Sequence, residues 1–253
     1  MMDDQAEDTI AVEPVANGVV LLFAEGQRPS VEVIDRLLGQ LPAENMLSVS
    51  YRGEADRGRL ELLCRGLTFD LKGLAPARGA AMPVVTQRLG LDDALPQLEG
   101  VLLASGQNLA GGAHLRPILC THLQVGLALA ALPGVQAVVW ALSGVMMRPA
   151  HFVEAVGAWL AGGSFPVPGL VGFSRDEDGA LFSHGLFFFA PRQVRVEALE
   201  GASDMQAEIA SALVRRQVDG DSHVPAWIAD SEGRIWNVSW DVESRLITAR
   251  PGV

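Results

Sequence analysis

The chain is predicted to be α+β, with mixed or antiparallel sheets carrying helices on one face. Three observations predict this. Hydrophobic residues make up 49% of the 253 and charged residues only 19%, ample apolar material for a packed core. Short apolar or alternating runs of strand length recur along the chain. Between them, apolar residues repeat at helical spacing. The order strand, helix, paired strands is met in the stretches 17–73, 98–165 and 183–253, as repeated split β-α-β (ferredoxin-like) units would require. No repeat of the sequence itself accompanies it.

Residues 1–16 carry five acids and no base and read as a solvated, disordered tail ahead of one α+β domain, 17–253. Gly18 to Ala24 is a continuous apolar run, the pattern of a buried strand. Ser30 is placed to cap a helix whose Val33, Ile34, Leu37, Leu38 and Leu41 form one face, closed by Pro42. Leu47 to Tyr51 alternates with period two, as does Leu60 to Cys64 in part, around a polar turn at 53–58. Leu74 to Leu98 holds Pro76, Pro83 and Pro96 and reads as a connection or a short irregular helix. Gly100 to Ala104 is strand-like. A helix runs from Pro117, a favoured first-turn residue, to Leu132. Val135 to Trp140 is a strand, and Pro149 to Leu160 a helix with Phe152, Val153, Val156, Trp159 and Leu160 on its apolar side. The last third opens with Gly185 to Phe189 and Gln193 to Val196. A helix from Ser203 then turns Met205, Ile209, Leu213 and Val214 inward. Pro225 to Ala229 and Arg234 to Val242 form a hairpin, with Trp236, Val238, Trp240 and Val242 on one face.

Nineteen Lys and Arg against thirty Asp and Glu leave a net charge of −11 and a pI near 4.9. That balance argues against a nucleic-acid binder, which needs a concentrated basic face. It favours a basic protein partner. No apolar run is long enough for a membrane span. Cys64 and Cys120 are too few for a disulfide framework, and the acidic N-terminus is unlike a signal peptide; both point to a reducing cytoplasm. Lys72 is the only lysine, so any lysine-dependent chemistry runs through it.

Phosphate-binding loops, the dinucleotide fingerprint, the nucleophile elbow and the zinc-protease helix are all missing. Ser105 and Ser143 each precede a glycine but lack the elbow's first glycine. His114, Cys120 and His122 are ligand types for zinc or copper. On a helix, however, Cys120 and His122 lie about 240° and about 80° around from His114, the latter about 12 Å along the axis. The expectation is therefore no metal and no cofactor, with a buried thiol and a hydrogen-bonded histidine instead. His151 and Glu154, three apart on a helix, can meet as an acid–base pair. Ser183 and His184 point to opposite faces at a strand start, so a catalytic His184 needs a distant acid. His223 belongs to a solvated turn. Trp236 and Trp240 read as core, and as an interaction surface only if exposed.

From Val19 to about Val238 the order of segments resembles a bacterial family of domains of unknown function, the 4261-type. The matching features are the opening strand and helix, Ala81-Met82-Pro83-Val84, the Thr121 helix leading to Ala137-Val138-Val139-Trp140, and Ser183-His184-Gly185-Leu186-Phe187-Phe188-Phe189. Members often carry Gly-x-x-Glu after that last pattern; Ala190-Pro191-Arg192-Gln193 departs from it. The resemblance implies a fold and no catalytic residue.

These observations lead to a soluble protein that acts by binding another macromolecule, as an adaptor, accessory or immunity-type protein. The alternative is an enzyme, such as a hydrolase, with a histidine–carboxylate site. Self-association into a homo-oligomer through Phe187 to Phe189 or the C-terminal hairpin is a third route.

Overall fold

The apolar run at the start becomes the centre of the molecule. β1 (Gly18–Ala24) is buried along nearly its whole length because antiparallel neighbours flank it on both sides, β6 (Leu98–Ser105) and β7 (Val135–Trp140). The computed structural model describes residues 17–40, 46–54, 57–91, 95–199, 201, 203–220 and 223–252. The acidic stretch 1–16, and Leu41 and Pro42 at the end of the first helix, lie outside the described residues.

Around β1 stand β2 (Leu47–Arg52), β3 (Arg59–Cys64), β4 (Leu67–Lys72), β5 (Gln87–Leu89) and β8 (Val145–Met147). The order is β2-β3-β4-β6-β1-β7-β8-β5, antiparallel throughout except for β5 beside β8. A second sheet holds β9 (Gly172–Arg175), β10 (Leu181–His184), β11 (Gln193–Val196), β12 (Trp227–Ala229), β13 (Ile235–Asp241) and β14 (Leu246–Pro251). Its order is β12-β13-β14-β11-β10-β9, with β11 and β14 parallel. Two mixed sheets with helices make the chain α+β, as predicted. Strands of 17–73 and 98–165 interleave in the first sheet, while those of 183–253 lie in the second, whose order differs.

The helices are α1 (Val31–Leu38), α2 (Arg116–Ala130), α3 (Pro149–Leu160), α4 (Val167–Leu170) and α5 (Ser203–Val218). Ser30 caps α1 through Val33 N–H. Alternation along β1 divides the apolar residues between two cores. Val19, Leu21 and Phe23 join the main core with α1, α2 and α3. Val20 and Leu22 face the other way, against Ala137, Val139 and Met146, under Val85, Leu91 and Leu95. Among its described residues the proline-rich segment is a connection without a helix: it supplies β5 and covers the back of the first sheet. β6, α2 and β7 make a split β-α-β connection, two parallel strands with β1 between them. No helix among the described residues is long and apolar enough to cross a membrane.

Three readings need correction. His184 ends a strand instead of starting one, because Gly185 takes a left-handed φ of 76°; a Cβ there would lie 2.8 Å from the Leu142 carbonyl, so a side chain is excluded. Leu186–Phe188 is consequently a 3-10 turn. It turns Phe188 and Phe189 inward onto Trp140 and leaves Phe187 exposed, which is no sheet edge for self-pairing. Val153 and Val242 are exposed: Val153 sits beside the face of α3 that buries Phe152, Val156 and Trp159, and Val242 follows the end of β13.

The C-terminal hairpin is tied by Asp230. Its Oδ1 accepts from the backbone N–H of Glu232 at 3.0 Å and Arg234 at 2.9 Å; its Oδ2 accepts from Arg234 Nε at 2.9 Å and the buried Trp236 Nε1 at 3.1 Å. Burial pushes this carboxyl up, but the Trp236 and Arg234 donors outweigh it and bring it down from 3.8 to about 2. A depressed carboxylate stabilises the fold fully above its unfolded value, and that contribution disappears as pH falls through the folded one. Urea midpoints of the wild type will therefore drop between pH 4 and pH 2 more steeply than those of Asp230→Asn. The variant will also be less stable at pH 7, since an amide cannot accept all four donors with its one oxygen.

Candidate functional site

The split connection leaves a gap at one end of the first sheet. β1 begins there, between the C-terminal ends of β6 and β7, with Gly18 opposite Ala104 and Val19 opposite Trp140. Two small residues at adjoining strand ends leave space that larger side chains would fill. A Cβ at Gly18 would collide with the Leu103 carbonyl oxygen at 2.0 Å, so the close approach requires glycine. After Ser105 the chain turns at Gly106 into a 3-10 segment (Gln107–Gly112) and then α2. The result is a cavity of about 290 Å³, at the lower end of the roughly 300–1,000 Å³ found for small-ligand sites. Its wall takes Lys72, Leu102 and Ala104 from the back face of the sheet, and Ser105, Leu119, His122, Trp140 and Phe188 from the helical side.

His122 projects from α2 onto β6. Its Nε2 lies 3.0 Å from the Leu103 carbonyl, which only accepts, so Nε2 carries the hydrogen and Nδ1 keeps its lone pair. The Ser105 hydroxyl sits 3.5 Å from Nδ1, long for a hydrogen bond. Phe69 and Trp140 pack against the ring. Burial drives its pKa down to about 4, with the Leu103 carbonyl pulling weakly the other way. At neutral pH the imidazole is uncharged. Trp140 is buried against it, and its indole N–H has no acceptor among the described residues.

The charge in the wall is cationic. Lys72 Nζ is 3.5 Å from Asp70 Oδ2, while Asp70 Oδ1 already takes Arg59 at 2.8 Å. Two cations share the Asp70 carboxylate, and Lys72 is the more distant of them.

The residues singled out from sequence fall elsewhere, His122 and Lys72 excepted. His114 is exposed and borders a cleft of only about 30 Å³. Cys120 is half-buried and His122 buried, and no three metal-ligating side chains converge among the described residues. His114 lies in the turn before α2, while Cys120 and His122, two apart on that helix, point to different sides of it. His151 and Glu154 both line an open groove of about 480 Å³, with Arg148; both are exposed. His184 is half-buried, with its Nε2 2.5 Å from the Ser174 hydroxyl, and burial lowers its pKa. His223 is exposed. Trp236 is fully buried, whereas Trp240 is 38% exposed beneath the Arg192 guanidinium, 4.1 Å from the ring centroid. Of the two, only Trp240 offers any surface. Sequence reasoning passed over Ser105 and Trp140 as site residues; the one local signal was a serine–glycine step closing an apolar strand. Comparison with protein-family models, curated proteins and solved structures finds no match for this chain.

Proposed function

We propose that the chain is a binding protein that takes a small organic molecule into the cavity at the end of the first sheet. This moves recognition from the exterior macromolecular contact expected from sequence to an interior one. The observation that carries it is the wall itself: apolar surfaces of Leu102, Leu119, Trp140 and Phe188 surround a few polar groups, Ser105, neutral His122 and Lys72. Such a wall holds an apolar body and orients it by a few polar contacts. The open groove at His151 lacks that enclosure, being bordered by exposed residues.

A plugged variant tests the reading. Ala113 borders the cavity in a turn, so Ala113→Phe adds bulk there without disturbing a strand. Ligand-observed NMR with a fragment library will find binders of the wild type that Ala113→Phe loses and His151→Ala retains. Binders unaffected by the plug would sink the proposal.

A second reading is an acyl hydrolase with Ser105 as nucleophile and His122 as base, favoured by the approach of Ser105 to Nδ1. A base whose conjugate acid has a pKa of about 4 draws a serine proton weakly, so binding ranks first. Labelling by a fluorophosphonate probe that Ser105→Ala abolishes would reverse the order.

A further inference from the structure

We infer that the cavity selects a small carboxylate with an apolar body, its head group at Lys72. This rests on the binding reading above and adds the ligand's charge. Lys72 is the one charged side chain among the described residues of the wall. Its register explains why it is free to serve. Lys72 pairs with Leu102 across β4 and β6, and with Arg59 across β3 and β4. The carboxylate it shares is committed to Arg59 at 2.8 Å, against 3.5 Å for Lys72. The ammonium therefore keeps donors for a second anion. Half its side chain is exposed, which places it at the cavity's mouth.

Single-cation chemistry also sets the class. A phosphate monoester carries close to two charges and is usually met by several cationic donors, whereas Lys72 is the one cation among the described residues of this wall. A carboxylate needs one counter-charge, and Leu102 beside Lys72 offers apolar surface at the next step along the wall. The ligand's body then extends past Ala104 towards Trp140.

The test uses 3-phenylpropionate, hexanoate and octanoate with their uncharged amides, and phenyl phosphate as the dianion arm, titrated by calorimetry into the full chain. An acid will bind about fivefold to tenfold tighter than its amide, the range for a partly exposed charge-assisted contact. Raising the salt will shrink that preference. Lys72→Met will weaken the acids more than the amides and so bring the two affinities together, and Lys72→Arg will restore the preference. Acid and amide binding alike, both lost in Ala113→Phe, would overturn the carboxylate inference and leave the cavity reading standing. Phenyl phosphate outcompeting every acid would do the same. No A113F-sensitive binding by any acid, amide or library fragment would overturn both.

Discussion

Lowering the pH from 7 to 4 will strip the fold of about 3 kcal/mol through His122 alone. Its folded pKa of about 4 lies below the ordinary 6.5, so between those values the unfolded chain takes up a proton that the folded chain refuses. The stability is fully present above pH 6.5 and is lost progressively down to pH 4. At about 1.36 kcal/mol per unit, the shift converts to that figure. The cause is structural: the ring is enclosed by Phe69 and Trp140, and that burial outweighs the pull of the Leu103 carbonyl toward the charged form. His184 shifts in the same direction and adds a smaller contribution of the same sign. Urea unfolding in steps between pH 7 and pH 5, a window where carboxylates titrate little, isolates the effect. His122→Gln keeps a donor for the Leu103 carbonyl and loses the larger titration, so its stability will fall much less across that window, by the smaller His184 contribution alone. A variant as pH-sensitive as the wild type would show that the ring is not buried as described.

Replacing Trp140 with alanine will cost about 3–5 kcal/mol, the range for emptying a large aromatic site in a packed core. The sharper comparison is between Trp140→Phe and Trp236→Phe. Both tryptophans are fully buried, and both changes remove the same volume. They differ in the indole N–H, which at Trp236 donates to Asp230 and at Trp140 is enclosed without an acceptor. Removing an unpaired buried donor relieves a desolvation cost, whereas removing a paired one leaves Asp230 short. Trp140→Phe will therefore be the milder change by about 1–3 kcal/mol. Equal losses in chemical denaturation would contradict that assignment.

Much of the fold was legible because its signals are local. Pro117 and Pro149 sit in first turns, Ser30 caps, and the apolar periods of α2, α3 and α5 stand out from their surroundings. β8 is only three residues long, too short to declare a period. β4 hid its core pair, Phe69 and Leu71, among Thr68, Asp70 and Lys72, whose burial depends on neighbours far along the chain. The site was less legible for the same physical reason. His122 was grouped with His114 and Cys120, its neighbours in sequence, but the packing of α2 on the first sheet brings it to Ser105 and Trp140 instead. Lys72 stood out only by being a lone lysine. Its place in the wall follows from the register of β4 on β6, which no spacing rule within a single segment encodes.

Amide chemical-shift mapping with the tightest-binding fragment tests the central claim most directly. The account predicts that the largest shifts fall on Gly18, Ala104, Ser105, Ala113 and Leu142, the backbone that frames the cavity. Shifts gathered instead at Gly90 and Arg148 to Glu154, or on the C-terminal hairpin, with those five amides unmoved, would contradict it.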